Sequence, residues 1–273
     1  MIYNIIMLRS YLTLLFICAL YFNGLGQQQD KYLRYINIGA GFTAPTSYDP
    51  SFSSIVYRGY AGSVAAQYHR RSEQMMDHLD LRFDIGELTN STSLAYLTYY
   101  RFEGNYSYEK LVKNIGSDRL EWYAGGSFNS LWTLFQYRDF NNNSFNNSVY
   151  ASLSPHTSLV YNFKLWNRDF RLQGAAYLPL LTFAMRPSYG SSNFFGFLDD
   201  DRDDTFNQLV ESGKLVSLNK FFRYSNTFAL EYLFKNNPNR IRLSYEWNYL
   251  RYTEPRLTQS ASHNITFSTM FNF

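Results

Sequence analysis

Residues 240–249 read Arg-Ile-Arg-Leu-Ser-Tyr-Glu-Trp-Asn-Tyr, polar and apolar in strict alternation. Arg240, Arg242, Ser244, Glu246 and Asn248 form one set; Ile241, Leu243, Tyr245, Trp247 and Tyr249 form the other. A β-strand sends successive side chains to opposite faces, so period two separates these sets cleanly, whereas a helix would scatter both round its axis. One such segment fits any half-buried sheet. Recurrence of the pattern is what constrains the fold.

Nine more segments repeat it. From Tyr32 to Thr43, Ile36, Ile38, Ala40 and Phe42 oppose Asn37, Gly39 and Gly41; from Tyr57 to His69, Tyr60, Val64 and Tyr68 oppose Ser63 and Gln67. Leu79, Leu81, Phe83 and Ile85 alternate with Asp80, Arg82 and Asp84; Tyr100, Phe102 and Tyr106 oppose Arg101, Glu103 and Asn105. Later segments set Trp122 and Phe128 against Glu121, Leu153 and Leu159 against Ser154, His156 and Ser158, and Leu172 against Arg171. Phe228 and Leu230 oppose Arg223 and Glu231, and Ile265, Phe267, Phe271 and Phe273 close the chain against Asn264, Thr266 and Asn272. Charges gather on one face of strand after strand while the other stays nearly free of them. A soluble sandwich has only two inner faces to fill and usually shorter strands.

The connections fall into two classes. Residues 71–77, 110–118, 165–168 and 236–239 are short; 44–56, 131–149, 185–220 and 253–262 are longer, and 87–92 is the short exception in that set. Tight turns at one end and long loops at the other suit an outer-membrane barrel. The reading is an all-β, antiparallel, up-and-down transmembrane barrel of about ten strands, with eight or twelve as the alternatives. An even count places both termini on one side, the periplasm. In hydrocarbon every backbone amide and carbonyl needs a partner, and only closure removes the sheet edges. Mean hydropathy of −0.34 does not oppose this, because lipid-facing and lumen-facing residues cancel in the average. The aromatic share of 19% supports it, with rings near strand ends such as Tyr57, Tyr60, Tyr106, Tyr108, Phe221, Phe222, Trp247 and Tyr249, where amphipathic side chains meet a membrane surface.

Residues 1–26 read as a secretory signal: Arg9 is the single charge, 11–22 is an apolar run too short to span a bilayer, and Gly24 and Gly26 supply small residues for cleavage. Residues 27–273 are then one barrel domain. Cys18, the only cysteine, lies in the apolar run, and bulky Ile17 before it argues against a lipoprotein anchor. Loss of Arg9 takes the formal charge from +3 to +2 and leaves a cysteine-free chain, unlike small disulfide-stapled secreted domains. So small a charge, with no basic stripe, gives no case for nucleic acid.

The leader, the ten alternating segments and the ending Ile265-x-Phe267-x-x-x-Phe271-x-Phe273 resemble Gram-negative outer-membrane β-barrel proteins. Thr269 interrupts the alternate apolar row that such endings carry. The resemblance implies residence in the cell outer membrane, contact with its lipid and lipopolysaccharide, and recognition of Phe273 by the barrel-assembly machinery. It names no specific protein partner and calls for no cofactor.

Two kinds of site can be named. Asp80, Arg82, Asp84, Arg101, Glu103, Glu121, Arg171, Glu231, Arg240, Arg242 and Glu246 are assigned to the lumen, either as ion pairs filling a narrow interior or as the lining of a small pore. His156-Thr157-Ser158 puts a base and a hydroxyl on one strand face. It is similar to the H-x-S pair of outer-membrane lipid A deacylases, which would make His156 the base and Ser158 the nucleophile. Leu159 stands where that family tends to have Asn, and no acidic partner follows from spacing. The ten-strand outer-membrane proteases use paired aspartates and an Asp–His pair; His69, His78 and His263 show no matching set. In the longest loop Asp199, Asp201 and Asp203 offer oxygen ligands to Ca²⁺, without the glycine and distal Glu of an EF-hand. The functions carried forward are a structural, binding or narrow-channel barrel, a lipid hydrolase, and a subunit of a secretion or uptake assembly.

Overall fold

The computed structural model describes residues 32–51, 53–90, 96–116, 119–137, 144–186, 211–235 and 237–273. They form twelve antiparallel strands: β1 Leu33–Asp49, β2 Ser53–Arg71, β3 Met75–Thr89, β4 Tyr96–Ile115, β5 Leu120–Tyr137, β6 Phe145–Leu165, β7 Arg168–Tyr177, β8 Leu181–Met185, β9 Gly213–Ser217, β10 Phe221–Leu233, β11 Arg240–Tyr252 and β12 Thr258–Asn272. Ten of them close a barrel in the order β1 to β7, β10, β11, β12 and back to β1, where Tyr35 pairs with Asn272. The expected all-β barrel of about ten strands is therefore present, with both chain ends of the barrel at one rim.

The other two strands stand outside this closure. β7 stops at Tyr177, the chain breaks at Leu178-Pro179-Leu180, and β8 then pairs with the upper part of β6. Pro179 has no N–H to give to a ladder, which suits a break there. β9 pairs with β8.

Several strands outrun the alternating segments, such as residues 32–43 and 57–69, that mark them in the sequence. β4 has 20 and β6 has 21. At ~3.3 Å per residue, β6 runs about 70 Å along its path, or about 50 Å along the axis at a tilt of roughly 40°. An apolar band in hydrocarbon is ~25 Å tall. About half of β6 therefore lies beyond such a band. Much of what reads as long loop is strand: β1 runs on to Asp49, β5 to Tyr137, and β12 starts at Thr258.

The two halves have opposite polarity. In the half nearer the chain ends the outward positions are apolar and exposed, including Ile38, Phe42, Val64, Ile85, Leu243 and Phe267. Inward positions there are mostly polar and buried, such as Asn37, Ser63, Arg82 and Asn264, with an apolar cluster of Met76, Tyr123 and Val160 near the rim. Beyond Phe42 on β1, Tyr60 on β2 and Ile85 on β3, the order inverts. Outward residues now include Arg58, Glu87, Thr89 and Arg251, beside Val56, Tyr96 and Phe222, which stay exposed. Inward ones become two apolar clusters, Tyr57, Ala61, Leu88, Leu97, Tyr99, Phe135 and Tyr137, and Leu131, Tyr150, Ala184, Val216, Phe221, Leu250 and Tyr252. Tyr57 and Phe221, expected among rings at a membrane surface, point inward and are 4% and 1% exposed. A greasy exterior suits acyl chains; a polar exterior over an apolar core suits water.

A ring series does cover the outside near the terminal rim. Tyr161, Phe163, Phe170, Tyr232 and Phe234 follow one another at centroid separations of 5.6, 5.6, 5.4 and 5.0 Å. Tyr224 and Trp247 pair at 5.8 Å farther up the wall. Turns at the terminal rim are tight; between β6 and β7 only Trp166 and Asn167 intervene, both with positive φ.

Candidate functional site in the barrel interior

The mid-lumen is blocked by a charged layer centred on Glu103 of β4. Arg82 donates to its Oε2 at 2.6 Å, and Arg101 from the same strand and Arg223 from β10 bind the same carboxylate. Tyr177 adds its hydroxyl at 3.2 Å. Arg82 also reaches Glu246 of β11 at 2.5 Å, and Arg101 donates to Ser262 of β12 at 2.9 Å. β4 and β10 lie on opposing sides of the ring, as do β3 and β11, so these bonds cross the lumen instead of following the wall. Asp84, fully buried, has Arg82 Nε at 3.6 Å.

A second cluster lies toward the terminal rim. Glu231 accepts from Arg240 at 2.9 Å and Arg242 at 2.8 Å, with Arg171 at 3.7 Å. Arg240 also donates to Tyr35 at 2.7 Å, and Arg71 pairs with Glu121. The loop-end mouth is tied by Arg186, which binds Asp49, donates to Ser51 at 3.1 Å and caps the carbonyl of Arg256 at 2.9 Å. Lys220 donates to Glu254 at 2.6 Å at this rim, which holds the Glu254 carboxyl below its ordinary range.

Charge balances along the interior. Among the described residues the inward cations are Arg71, Arg82, Arg101, Arg171, Arg186, Arg223, Arg240 and Arg242. The inward anions are Asp49, Asp80, Asp84, Glu103, Glu109, Glu121, Glu231 and Glu246. A pore that sorts ions shows an excess of one sign at its constriction; this interior has as many cations as anions, mostly joined.

His156 and Ser158 do acquire an acid, Glu109. Ser158 donates to Glu109 Oε1 at 3.0 Å, and His156 Nδ1 lies 3.1 Å from the same oxygen, out of line for a hydrogen bond. Gly125 makes room for this: in the ladders Glu109 stands opposite Gly125, and Gly125 opposite His156. A Cβ at Gly125 would sit 1.9 Å from the Tyr108 carbonyl oxygen. The three groups do not form a nucleophile–base–acid relay, because Ser158 bonds to the carboxylate and not to the imidazole. Ser158 is 1% exposed and faces the lumen, away from lipid.

Between the two charged clusters is a cavity of about 90 Å³, lined by polar groups that include Gln67, His69, His78, Asp80, Asn105 and His156. A second, of about 40 Å³, lies on the loop side of the Glu103 layer. All eleven residues assigned to the lumen from alternation point inward. Glu109, Asp49 and Arg186 escape that reading. Glu109 continues the parity of Arg101, Glu103 and Asn105 beyond Tyr106, so extending period two by two more steps would have found it. Asp49 and Arg186 lie in stretches that read as loop. Asp199, Asp201 and Asp203 fall outside the described residues. Among the described residues no group of three or more His, Cys, Asp or Glu is arranged to hold a metal ion.

No protein-family model matches the chain, and no curated protein matches its sequence. Solved structures do match. The outer membrane protease OmpT from Escherichia coli is similar over 90% of this chain and 98% of its own, at 10% identity and a TM-score of 0.50. The translocator domain of autotransporter NalP from Neisseria meningitidis matches over 90% of each chain at 8% identity and a TM-score of 0.39, and the toluene transporter TodX from Pseudomonas putida over 90% of each at 7% and 0.32. At such identities the likeness is one of fold: this chain has the closed antiparallel barrel that Gram-negative outer-membrane proteins share.

Proposed function

We propose that the protein is an integral outer-membrane barrel whose lumen does not conduct, with a structural or binding role carried by the half that rises beyond the lipid. The carrying observation is the Glu103 layer, which joins opposite walls through Arg82, Arg223 and Glu246. The apolar outer band supports placement in a membrane, and the tight turns and chain ends support a periplasmic terminal rim. Phe273, exposed at that rim, is available to the assembly machinery. Lipid and lipopolysaccharide would surround the band. The lipid-hydrolase reading gains an acid in Glu109 but has no route from acyl chains to Ser158.

Reconstitution into planar bilayers in concentrated KCl tests this. The expected record is flat. Discrete, reproducible conductance steps from folded protein would establish a channel instead.

A further inference from the structure

The 90 Å³ cavity holds polar atoms that no described residue satisfies. Asn37 Oδ1, Asp80 Oδ1 and Asn105 Oδ1 are buried acceptors without a donor, and Arg242 Nε is a buried donor without an acceptor. All four residues line this one cavity. Their placement follows from register: Asn37 pairs with Gln67, Gln67 with Asp80, and Asp80 with Asn105, so one level of β1 to β4 carries three amides and a carboxylate facing inward. Gln67 Oε1 is already engaged, accepting from Asn37 Nδ2 at 2.5 Å.

Carboxylates outnumber arginines in the cavity's lining, Asp80, Glu103 and Glu246 against Arg82 and Arg242, and Asp80 has no arginine within ion-pair distance among the described residues. On the β7, β10 and β11 side, Arg171, Arg240 and Arg242 share the single carboxylate of Glu231. On the β3 and β4 side, Glu109 likewise has no arginine partner among the described residues. A buried carboxylate without an ion-pair partner is costly, and so is a buried acceptor without a donor.

We propose that this cavity is a binding site for a small primary ammonium ion. An –NH₃⁺ group has three donors and no acceptor, the complement of a row lacking only donors, and its charge offsets Asp80. At ~30 Å³ of liquid volume per water, the space is worth about three waters, which limits the ligand to a few heavy atoms. Arg242 Nε across the cavity takes an acceptor on a short tail, such as a carboxylate. Entry has to come from the terminal rim, past the inward cluster of Met76, Tyr123 and Val160, because the Glu103 layer lies on the other side of the cavity. This goes beyond a non-conducting barrel, since a site filled from one side needs no path through the Glu103 layer.

Equilibrium dialysis of the detergent-solubilised, folded barrel against radiolabelled methylammonium, and separately glycine, reads the site directly, with NaCl holding ionic strength constant. Saturable uptake near one per chain is expected, weakened at least ten-fold by Asp80→Asn, which keeps the shape and removes the charge. The gel-mobility shift of folded barrels and far-UV circular dichroism establish that the variant is folded. Asn105→Asp, which adds charge to the same row, keeps the proposal testable if Asp80→Asn does not fold, and tighter methylammonium binding is expected. Uptake no greater than non-specific background would mean a cavity holding water only. Equal uptake by wild type and a folded Asp80→Asn, or no gain in Asn105→Asp, would also overturn the proposal. None of these results bears on conductance.

Discussion

Replacing Glu103 by alanine is expected to destabilise the barrel by about 3–5 kcal/mol, the usual cost of removing one partner from a buried ion pair. Arg82, Arg101 and Arg223 all bind this carboxylate, and their side chains are 9%, 6% and 2% exposed. Arg82 retains Glu246 at 2.5 Å, so the penalty falls mainly on Arg101 and Arg223. The measurement is urea unfolding in detergent micelles or vesicles, where a change in midpoint at constant slope reports stability. A second replacement, Arg223→Met, should recover part of the loss, because it removes a stranded charge and fills the space with an apolar side chain. A Glu103→Ala change of less than about 1 kcal/mol would place the layer in water and remove the argument for a blocked lumen.

The second large effect lies on the outside. Ile38, 60% exposed on β1, should lose about 2–4 kcal/mol on replacement by arginine, the range for a cation in the middle of a barrel's lipid face. Thr89→Arg, on the outward face of β3 beyond the inversion, should change stability by no more than about 0.5 kcal/mol. Both positions are open to the surroundings and differ only in height. Measurement is again urea unfolding, now in lipid vesicles. Equal penalties would mean that the apolar band extends over the whole wall; two negligible ones would mean that no band contacts lipid.

Alternation exposes the barrel and the inward facing of the charged residues named on it, because side-chain parity survives twist, tilt and register; Tyr57 and Phe221, expected at a membrane surface, face inward instead. It failed where the polarity inverts. On β4, Tyr99 points inward and Tyr100 outward, so both faces look apolar and the two-sided signal vanishes. On β1 the run from Ala44 to Asp49 carries a proline and small polar residues, and it reads as loop although its ladder to β12 continues. Loop-side strand ends therefore fall too early, and Asp49 goes with them; Glu109 lies at the opposite, terminal-rim end of β4, and Arg186 just past the end of β8. Partners were less legible than facings. That Glu103 gathers arginines from β3, β4 and β10 depends on which walls oppose each other, and that requires the strand number and order. The break at Pro179 has a local cause, but the β8–β9 hairpin beyond it has none that alternation could report.

The central claim is a change of polarity along β2 and β3: apolar side chains out and mostly polar ones in over the terminal half, with polar outward positions at Arg58, Glu87 and Thr89 and apolar inward ones above it. The most direct measurement uses single nitroxide labels at successive positions along β2 and β3, in a background with Cys18 removed, reconstituted into vesicles. Oxygen and a water-soluble nickel chelate then compete as relaxing agents. Preference for oxygen should appear at the outward positions from Ala66 to Tyr60 on β2 and from Leu79 to Ile85 on β3, alternating with low access at Ser63 and Arg82, and should give way to the nickel chelate at Arg58, Glu87 and Thr89. Oxygen preference that continues to the loop-end rim, or that never alternates, would contradict it.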